Sequence, residues 1–355
     1  MEIRENIRLA PYTTLKVGGD ARYFAEAAND DNVIEAVRWA RARALAVFVL
    51  GGGSNLLVSD AGFHGLVLHM SIDGIDAHDD AHDQSGKRIF SAGAGVEWDT
   101  FVARAVNDNC AGVECLSGIP GSVGGTPIQN VGAYGQDVSE TIVQVYAVDA
   151  TTLERVAFDR SACGFSYRQS RFNGSDVGRY IVTGVDYALQ PRGTPKIAYA
   201  DLKRHFSDVA TPSLSAVREA VLAIRRAKGM VLDEEDADSR SAGSFFKNPV
   251  VSLAEYERIA ANSAVPVPHF DAIPGHVKLA AAWLIEQAGI GKGFALGPVG
   301  ISSKHTLALV NRGGATASDM LRMKDLVQQH VRRCFAVELL PEPVMLGFGA
   351  PDSLR

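Results

Sequence analysis

Residues 51–56 read Gly-Gly-Gly-Ser-Asn-Leu and follow directly on the apolar run Val47 to Leu50. Glycines placed at the end of a buried strand let backbone N–H groups approach a phosphate without side chains in the way. Gly51, Gly52, Gly53, Ser54, Asn55 and Leu56 are therefore a candidate phosphate loop, with a tight strand-end turn as the alternative. They are not a dinucleotide fingerprint, because Leu56 stands where GxGxxG needs its third glycine, and no GxxxxGK[ST] occurs. A second stretch, Ser117 to Gly135, interleaves glycine, proline and small hydroxyls with Ile119, Val123, Ile128 and Val131. Its composition predicts no regular element, and its apolar residues predict an ordered binding loop rather than a slack linker. His78 and His82 lie four apart in the acidic stretch Asp76 to Asp83, which superficially suits a metal. With neither a helical pattern nor a third ligand nearby, this reads as a solvated hairpin tip, and no metal is expected.

The elements that must position these loops follow from periodicity. Arg22 to Ala27 predicts a strand, and Asp30 or Asp31 caps a helix carrying Val33, Ile34, Val37 and Ala40 on one face. Ile142 to Val148 and Ile181 to Tyr187 are rich in β-branched residues and predict strands. Pro191, Gly193, Pro195 and the polar stretch to Pro212 mark a boundary. Beyond it, a helix begins near Ser213 or Ser215 and stops at Lys228-Gly229. Further helices are expected at Val277 to Ala288 and Ser318 to Cys334, with a strand from Thr306 to Val310.

At 355 residues the chain is long enough for two or three domains. Hydrophobic residues at 46% and charged residues at 21% exclude disorder, and a net charge of -6 argues against a broad nucleic-acid footprint. The N-terminus resembles neither a signal nor a transit peptide, and glycines break the longest uncharged run, Ala44 to Ser59, so a cytoplasmic chain is expected. Cys110, Cys115, Cys163 and Cys334 form no CxxC pair and read as reduced, buried thiols.

Three blocks taken in order carry a family resemblance. They are Gly51-Gly52-Gly53-Ser54-Asn55, then Ile119 to Gly125 with Pro127 to Gly135, then Ser241-Ala242-Gly243-Ser244-Phe245-Phe246-Lys247-Asn248-Pro249. Together they resemble the UDP-N-acetylenolpyruvoylglucosamine reductase (MurB) family, over nearly the whole chain from Thr13-Thr14-Leu15 to Leu340-Pro341-Glu342. The resemblance implies an α+β fold: a two-lobed FAD-binding module of the vanillyl-alcohol-oxidase (PCMH) type, residues 1–70 and 71–212, and a C-terminal α+β substrate-binding domain, 213–355. It implies FAD as bound cofactor, NADPH as hydride donor, and reduction of an enolpyruvyl UDP-sugar to UDP-N-acetylmuramate for peptidoglycan.

By the same resemblance Gly51 to Leu56 cradles the pyrophosphate, while Ile119, Pro120, Gly121, Ser122, Gly124, Gly125, Thr126, Gly132 and Tyr134 line the rest of the cofactor. Arg168 would take the charge that develops on the substrate carboxylate, and Ser244 would deliver a proton to the internal carbon. Glu342 would stabilise the enol-type intermediate in protonated form. The usual Leu-Glu-Pro-Glu-Val is altered here to Leu340-Pro341-Glu342-Pro343-Val344, which leaves Glu338 open as the alternative. Tyr167, Tyr199, Lys228 and Asn248 would hold the UDP-sugar. Tyr199 implies the subgroup with a tyrosine loop, although Ala200 replaces the more usual glycine. The competing readings are an FAD-dependent oxidase of the same cofactor superfamily and a catalytically dead sugar-nucleotide sensor.

Overall fold

The structure is a computed structural model, and it describes residues 1–79 and 86–349. The strand Asp20–Ala27 is buried on both faces, with Phe24 in one core and Ala25 and Ala27 in another, and belongs to a four-stranded sheet. Its order is Arg4–Arg8, Asp20–Ala27, Phe63–Met70, Val47–Leu50, antiparallel in the first pair and parallel in the other two. The helix Asp30–Arg41 covers this sheet with Val33, Ala36, Val37 and Ala40. Its cap is Asn29, whose side chain accepts from the Asn32 N–H at 2.9 Å. Asp30 and Asp31, expected as caps, occupy the first turn instead, where their charge complements the helix dipole.

The second lobe is an antiparallel sheet ordered Arg155–Asp159, Ile142–Asp149, Tyr180–Pro191, Arg88–Gly93, Ile75–Asp79, with Cys110–Ala111 on the far end of the long strand. On the helix Trp98–Asn107, Trp98 stacks on Phe101, and the pair packs against Tyr187, with Phe90 edge-on to Phe101, to make the core of this lobe. His78 lies in the strand Ile75–Asp79; the tip expected to hold His82 lies outside the described residues.

The glycine-rich stretch 117–135 is ordered, as its apolar residues suggested, but it is not devoid of regular structure. It contains one turn of 3-10 helix, Val123–Gly125, the short helix Thr126–Gln129 and the small strand Gly132–Ala133. The stretch is pinned to the second lobe: the Gly121 carbonyl accepts from Trp98 N–H at 3.0 Å, and Gly118 N–H donates to Asp99 at 2.6 Å.

Helix Leu214–Ala227 begins at the Ser213 cap and ends at Lys228, with Gly229 in the left-handed region. The domain division at 212/213 assigned it to the third lobe, but it packs on the second. Val217, Ala220 and Val221 meet Cys115, Tyr134 and Leu202, and Arg218 grips Asp99 through two bonds of 2.6 and 2.7 Å.

The third domain packs the helices Leu253–Ala261, Ala281–Gln287 and Ala317–Phe335 around two three-stranded sheets. The helix expected from Val277 is a strand, His276–Leu279, followed by Ala281–Gln287, because Val277 and Leu279 alternate inward between two strand partners. The strand expected from Thr306 is confined to Leu309–Asn311. Leu15, Val17 and Leu57 of the first lobe complete this domain's core, and Val344–Leu346 returns to pair in parallel with Leu56–Val58. Cys110, Cys115 and Cys163 are buried free thiols, whereas Cys334 is exposed at the end of its helix. Among the described residues no helix is long and apolar enough to cross a membrane.

Candidate active site

The two glycine-rich segments, some seventy residues apart, meet. A Cβ on Gly52 would stand 2.6 Å from the Gly121 Cα, and one on Gly53, held at φ +60°, would lie 1.9 Å from the Tyr12 carbonyl oxygen. Glycine is therefore dictated by packing at both positions. Two hollows adjoin this meeting point, with Leu232 and Ser239 common to both walls. One, of about 740 Å³, is lined by Gly51, Gly52 and residues Pro11 to Thr14. The other, of about 440 Å³, takes Ser54, Asn55, Ile119, Pro120, Gly132 and Tyr134 into its wall. Gly125 faces open space. A diphosphate with a flat ring fits such a cradle of bare backbone beside an ordered loop. Two expected residues turn their side chains elsewhere. Leu56 is buried in a strand, and Thr126 is buried against Tyr187, with 2.6 Å between their hydroxyls.

The second hollow also gathers Arg168, Ser244 and Glu342. Arg168 sits at a tight turn with φ +55°, and its guanidinium donates to the carbonyls of Gly132 at 2.5 Å and Asn130 at 3.3 Å. Its Nε lies 3.6 Å from the Glu342 carboxylate. Glu342 is aimed by its backbone: its N–H donates to the Phe245 carbonyl at 2.9 Å, Lys247 N–H donates to Leu340, and Val344 N–H donates to Asn55. The Ser244 motif, the Glu342 segment and the first glycine loop are thus stitched side by side. Burial pushes the Glu342 carboxyl above its ordinary range, against the pull of Arg168 and Lys247. Glu338 points away and pairs with Arg332 on the surface.

Tyr167, Tyr199, Lys228 and Asn248 line the same hollow. Tyr167 and Tyr199 are exposed at its mouth. Tyr199 precedes the helix Ala200–His205 and meets the Tyr134 ring edge-on at 5.3 Å. Lys228 donates to Asp201 at 2.9 Å; burial pulls its ammonium down, but this bond together with the negative charge of Asp201 and the nearby Tyr134 and Tyr199 holds it above the usual range. Asn248 accepts from the Ala281 N–H, which fixes the start of that helix.

Sequence reasoning missed Arg225, Lys247 and His305, which also line the hollow. Arg225 lies three residues before Lys228, on the same face of its helix, and that spacing was the available signal. Burial lowers the His305 imidazole to about 4, so it is neutral at pH 7. Arg168, Arg225, Lys228 and Lys247 thus line the hollow with Glu342 as the single lining carboxylate among the described residues, although Asp201 and Asp137 stand behind Lys228 and Arg168; the excess of cations suits an anionic ligand.

Residues 21–153 match the family described as FAD binding domain, and residues 235–346 match the C-terminal domain of UDP-N-acetylenolpyruvoylglucosamine reductase. The chain is 47% identical over 351 residues to the UDP-N-acetylenolpyruvoylglucosamine reductase of Thermobifida fusca, across 96% of this chain and 97% of that one. It belongs to the UDP-N-acetylenolpyruvoylglucosamine reductase family. The reductase of Streptomyces coelicolor is 45% identical over 349 residues, covering 96% and 89% of the two chains. The crystal structure of MurB from Thermus caldophilus superposes with a TM-score of 0.67 at 25% identity, over 97% of this chain and all of that one. The fold is accordingly that of a MurB reductase, α+β, with an FAD-binding module of two lobes and a C-terminal MurB domain.

Proposed function

We propose that this chain catalyses the NADPH-dependent, FAD-mediated reduction of UDP-N-acetylenolpyruvoylglucosamine to UDP-N-acetylmuramate, a step of peptidoglycan synthesis in the cytoplasm. The observation that carries the reading is the meeting of Arg168, Glu342 and Ser244 in one hollow whose wall also holds Arg225, Lys228 and Lys247. FAD, when bound, relays two electrons from NADPH to the sugar, and Gly51 to Asn55 with Ile119 to Gly125 are the residues that would hold it.

The substrate's double bond is conjugated to a carboxylate, so reduction at the terminal carbon drives negative charge onto that carboxylate. Arg168 meets this charge. Its guanidinium is held by two carbonyls before substrate arrives, so little reorganisation is required as charge develops. Glu342, whose carboxyl burial shifts toward its protonated form, donates in that form a hydrogen bond to the same enediolate oxygens. Ser244 gives its hydroxyl proton to the internal carbon, and the lining cations stabilise the alkoxide it leaves. Tyr167, Lys228 and Asn248 hold the UDP-sugar or its phosphates, while the loop carrying Tyr199 swings over the mouth and excludes water.

The test separates the two half-reactions by anaerobic stopped-flow. In Ser244→Ala, NADPH should bleach the flavin at a rate within about twofold of wild type. Reoxidation by the enolpyruvyl sugar should slow by about a hundredfold to ten-thousandfold, the usual contribution of a positioned acid. Equal loss in both halves would sink the role of Ser244. Reduced enzyme that is reoxidised rapidly by oxygen and not by the sugar would instead establish an oxidase.

A further inference from the structure

Arg168 is delivered to the hollow by the four-residue turn Ser166–Gln169, which is closed on itself by Ser166 N–H to the Gln169 carbonyl (2.9 Å) and Gln169 N–H to the Ser166 carbonyl (3.2 Å). Nothing within the turn fixes where it sits on the protein. Besides the Asn173 amide, which donates to the Arg168 carbonyl at 3.2 Å, and the carboxylates of Glu342 and Asp137 at 3.6 and 3.9 Å from the Arg168 guanidinium, its attachments run to residues 128–132 and converge on Asn130. The Asn130 amide Nδ2 donates to the Ser166 carbonyl at 3.0 Å, its Oδ1 accepts from Ser139 N–H at 3.2 Å, and its backbone carbonyl accepts from Arg168 Nη1 at 3.3 Å. Flanking bonds complete the dock, with Ser170 Oγ donating to the Ile128 carbonyl at 2.7 Å and Arg168 Nη2 to Gly132.

Three features of Asn130 are used at once. It is 5% exposed, so each lost bond would leave a buried polar group unpaired. It occupies the left-handed region at φ 44° and ψ 67°, where asparagine is among the few tolerated side-chain-bearing residues, and this backbone turn points its carbonyl at Arg168. Its side chain must donate on one arm and accept on the other, which an amide does and a carboxylate cannot.

We infer that Asn130 is a positioning residue of the reductase: it sets the turn that carries Arg168, and so governs sugar reduction without taking part in flavin reduction. This deepens the function proposed above and rests on the role given there to Arg168. Asn130→Asp keeps the acceptor for Ser139 and replaces the donor to Ser166 with an anion beside a carbonyl oxygen. Asn130→Gly keeps the left-handed backbone and the carbonyl that holds Arg168, and removes both side-chain bonds.

The experiment uses FAD-loaded full-length protein and both half-reactions. For each variant, bleaching by NADPH should remain within about twofold of wild type, while sugar-driven reoxidation slows tenfold or more. On an Arg168→Ala background, Asn130→Asp should slow reoxidation no further, because the group it positions is gone. A purely structural role predicts the opposite, with losses that multiply in the double variant and fall on both half-reactions alike, and that result overturns the inference. So does an unimpaired reoxidation rate in Asn130→Gly, which decides the matter if Asn130→Asp does not fold. A wild-type protein that never transfers electrons to the sugar refutes the function itself, and is distinguishable from both.

Discussion

Two opposing forces act on the carboxyl of Glu342. Burial favours its neutral form and the Arg168 guanidinium at 3.6 Å favours its anion; burial prevails, and the group holds its proton above the ordinary glutamate range. Because the raised value means that the folded state binds this proton more tightly than the unfolded one, the associated stability is present at low pH and is lost as pH rises through the shifted value. The catalytic consequence has the same sign. The rate of sugar reduction should fall on the alkaline side as Glu342 ionises, while NADPH-driven bleaching does not share that limb. Glu342→Gln, which cannot ionise, should be about tenfold slower and should lack this limb in a rate-against-pH profile from 5 to 9. Persistence of the limb in Glu342→Gln would assign it to another group. Much at this scale was legible: Arg168, Ser244 and Glu342 sit in short motifs whose order survives in the chain, and the hollow collects all three. The choice between Glu342 and Glu338 was not. It depends on the bridge between Phe246 and Pro341, a pairing across ninety-odd residues that no local pattern records. Asn130 was invisible for the same reason, since its partners lie in a turn far along the chain.

Among the elements, the long helix Ala317–Phe335 shows how one lobe anchors another. Its own Thr316 and Asp319 form a capping box, yet the N–H groups of Ala317 and Ser318 donate to Asp60 of the first lobe at 2.7 and 2.9 Å. Asp60→Ala strips these bonds and that of the Ser318 hydroxyl. A loss of about 1–2 kcal/mol is expected, on the scale of a removed helix cap, together with a fall of a few degrees in the thermal midpoint. An unchanged midpoint would show that solvent replaces Asp60 without penalty. The sequence marked this helix to within a residue at each end, because a 19-residue amphipathic pattern averages over its exceptions. It misread Val277 to Leu279, where a short apolar run suits helix and strand equally and only the neighbouring strands decide.

Across the whole molecule, the lobes are less separable than the sequence suggested. Leu15 and Leu57 are fully buried in the core of the C-terminal domain, and helix Leu214–Ala227 belongs by packing to the second lobe. Leu57→Ala should therefore cost about 2–5 kcal/mol, as cavities in packed cores do. It should lower the far-ultraviolet circular dichroism and flavin-fluorescence melting curves together. Separate transitions in the variant would mean that the C-terminal domain melts on its own. The net charge of -6 coexists with four cations facing one hollow, so the field that attracts an anion is local, and composition alone could not have revealed it.

The parallel pairing of Leu56–Val58 with Val344–Leu346 has an implication for biosynthesis. A nascent chain leaves the ribosome N-terminus first, so the glycine loop at 51–55 is made nearly three hundred residues before the strand that braces it. Until that last strand emerges, Glu342 cannot be stitched between Phe245 and Asn55, and the first lobe must wait with an open edge. The hollow is thus among the last parts of the protein to close, and its acid arrives after its basic walls.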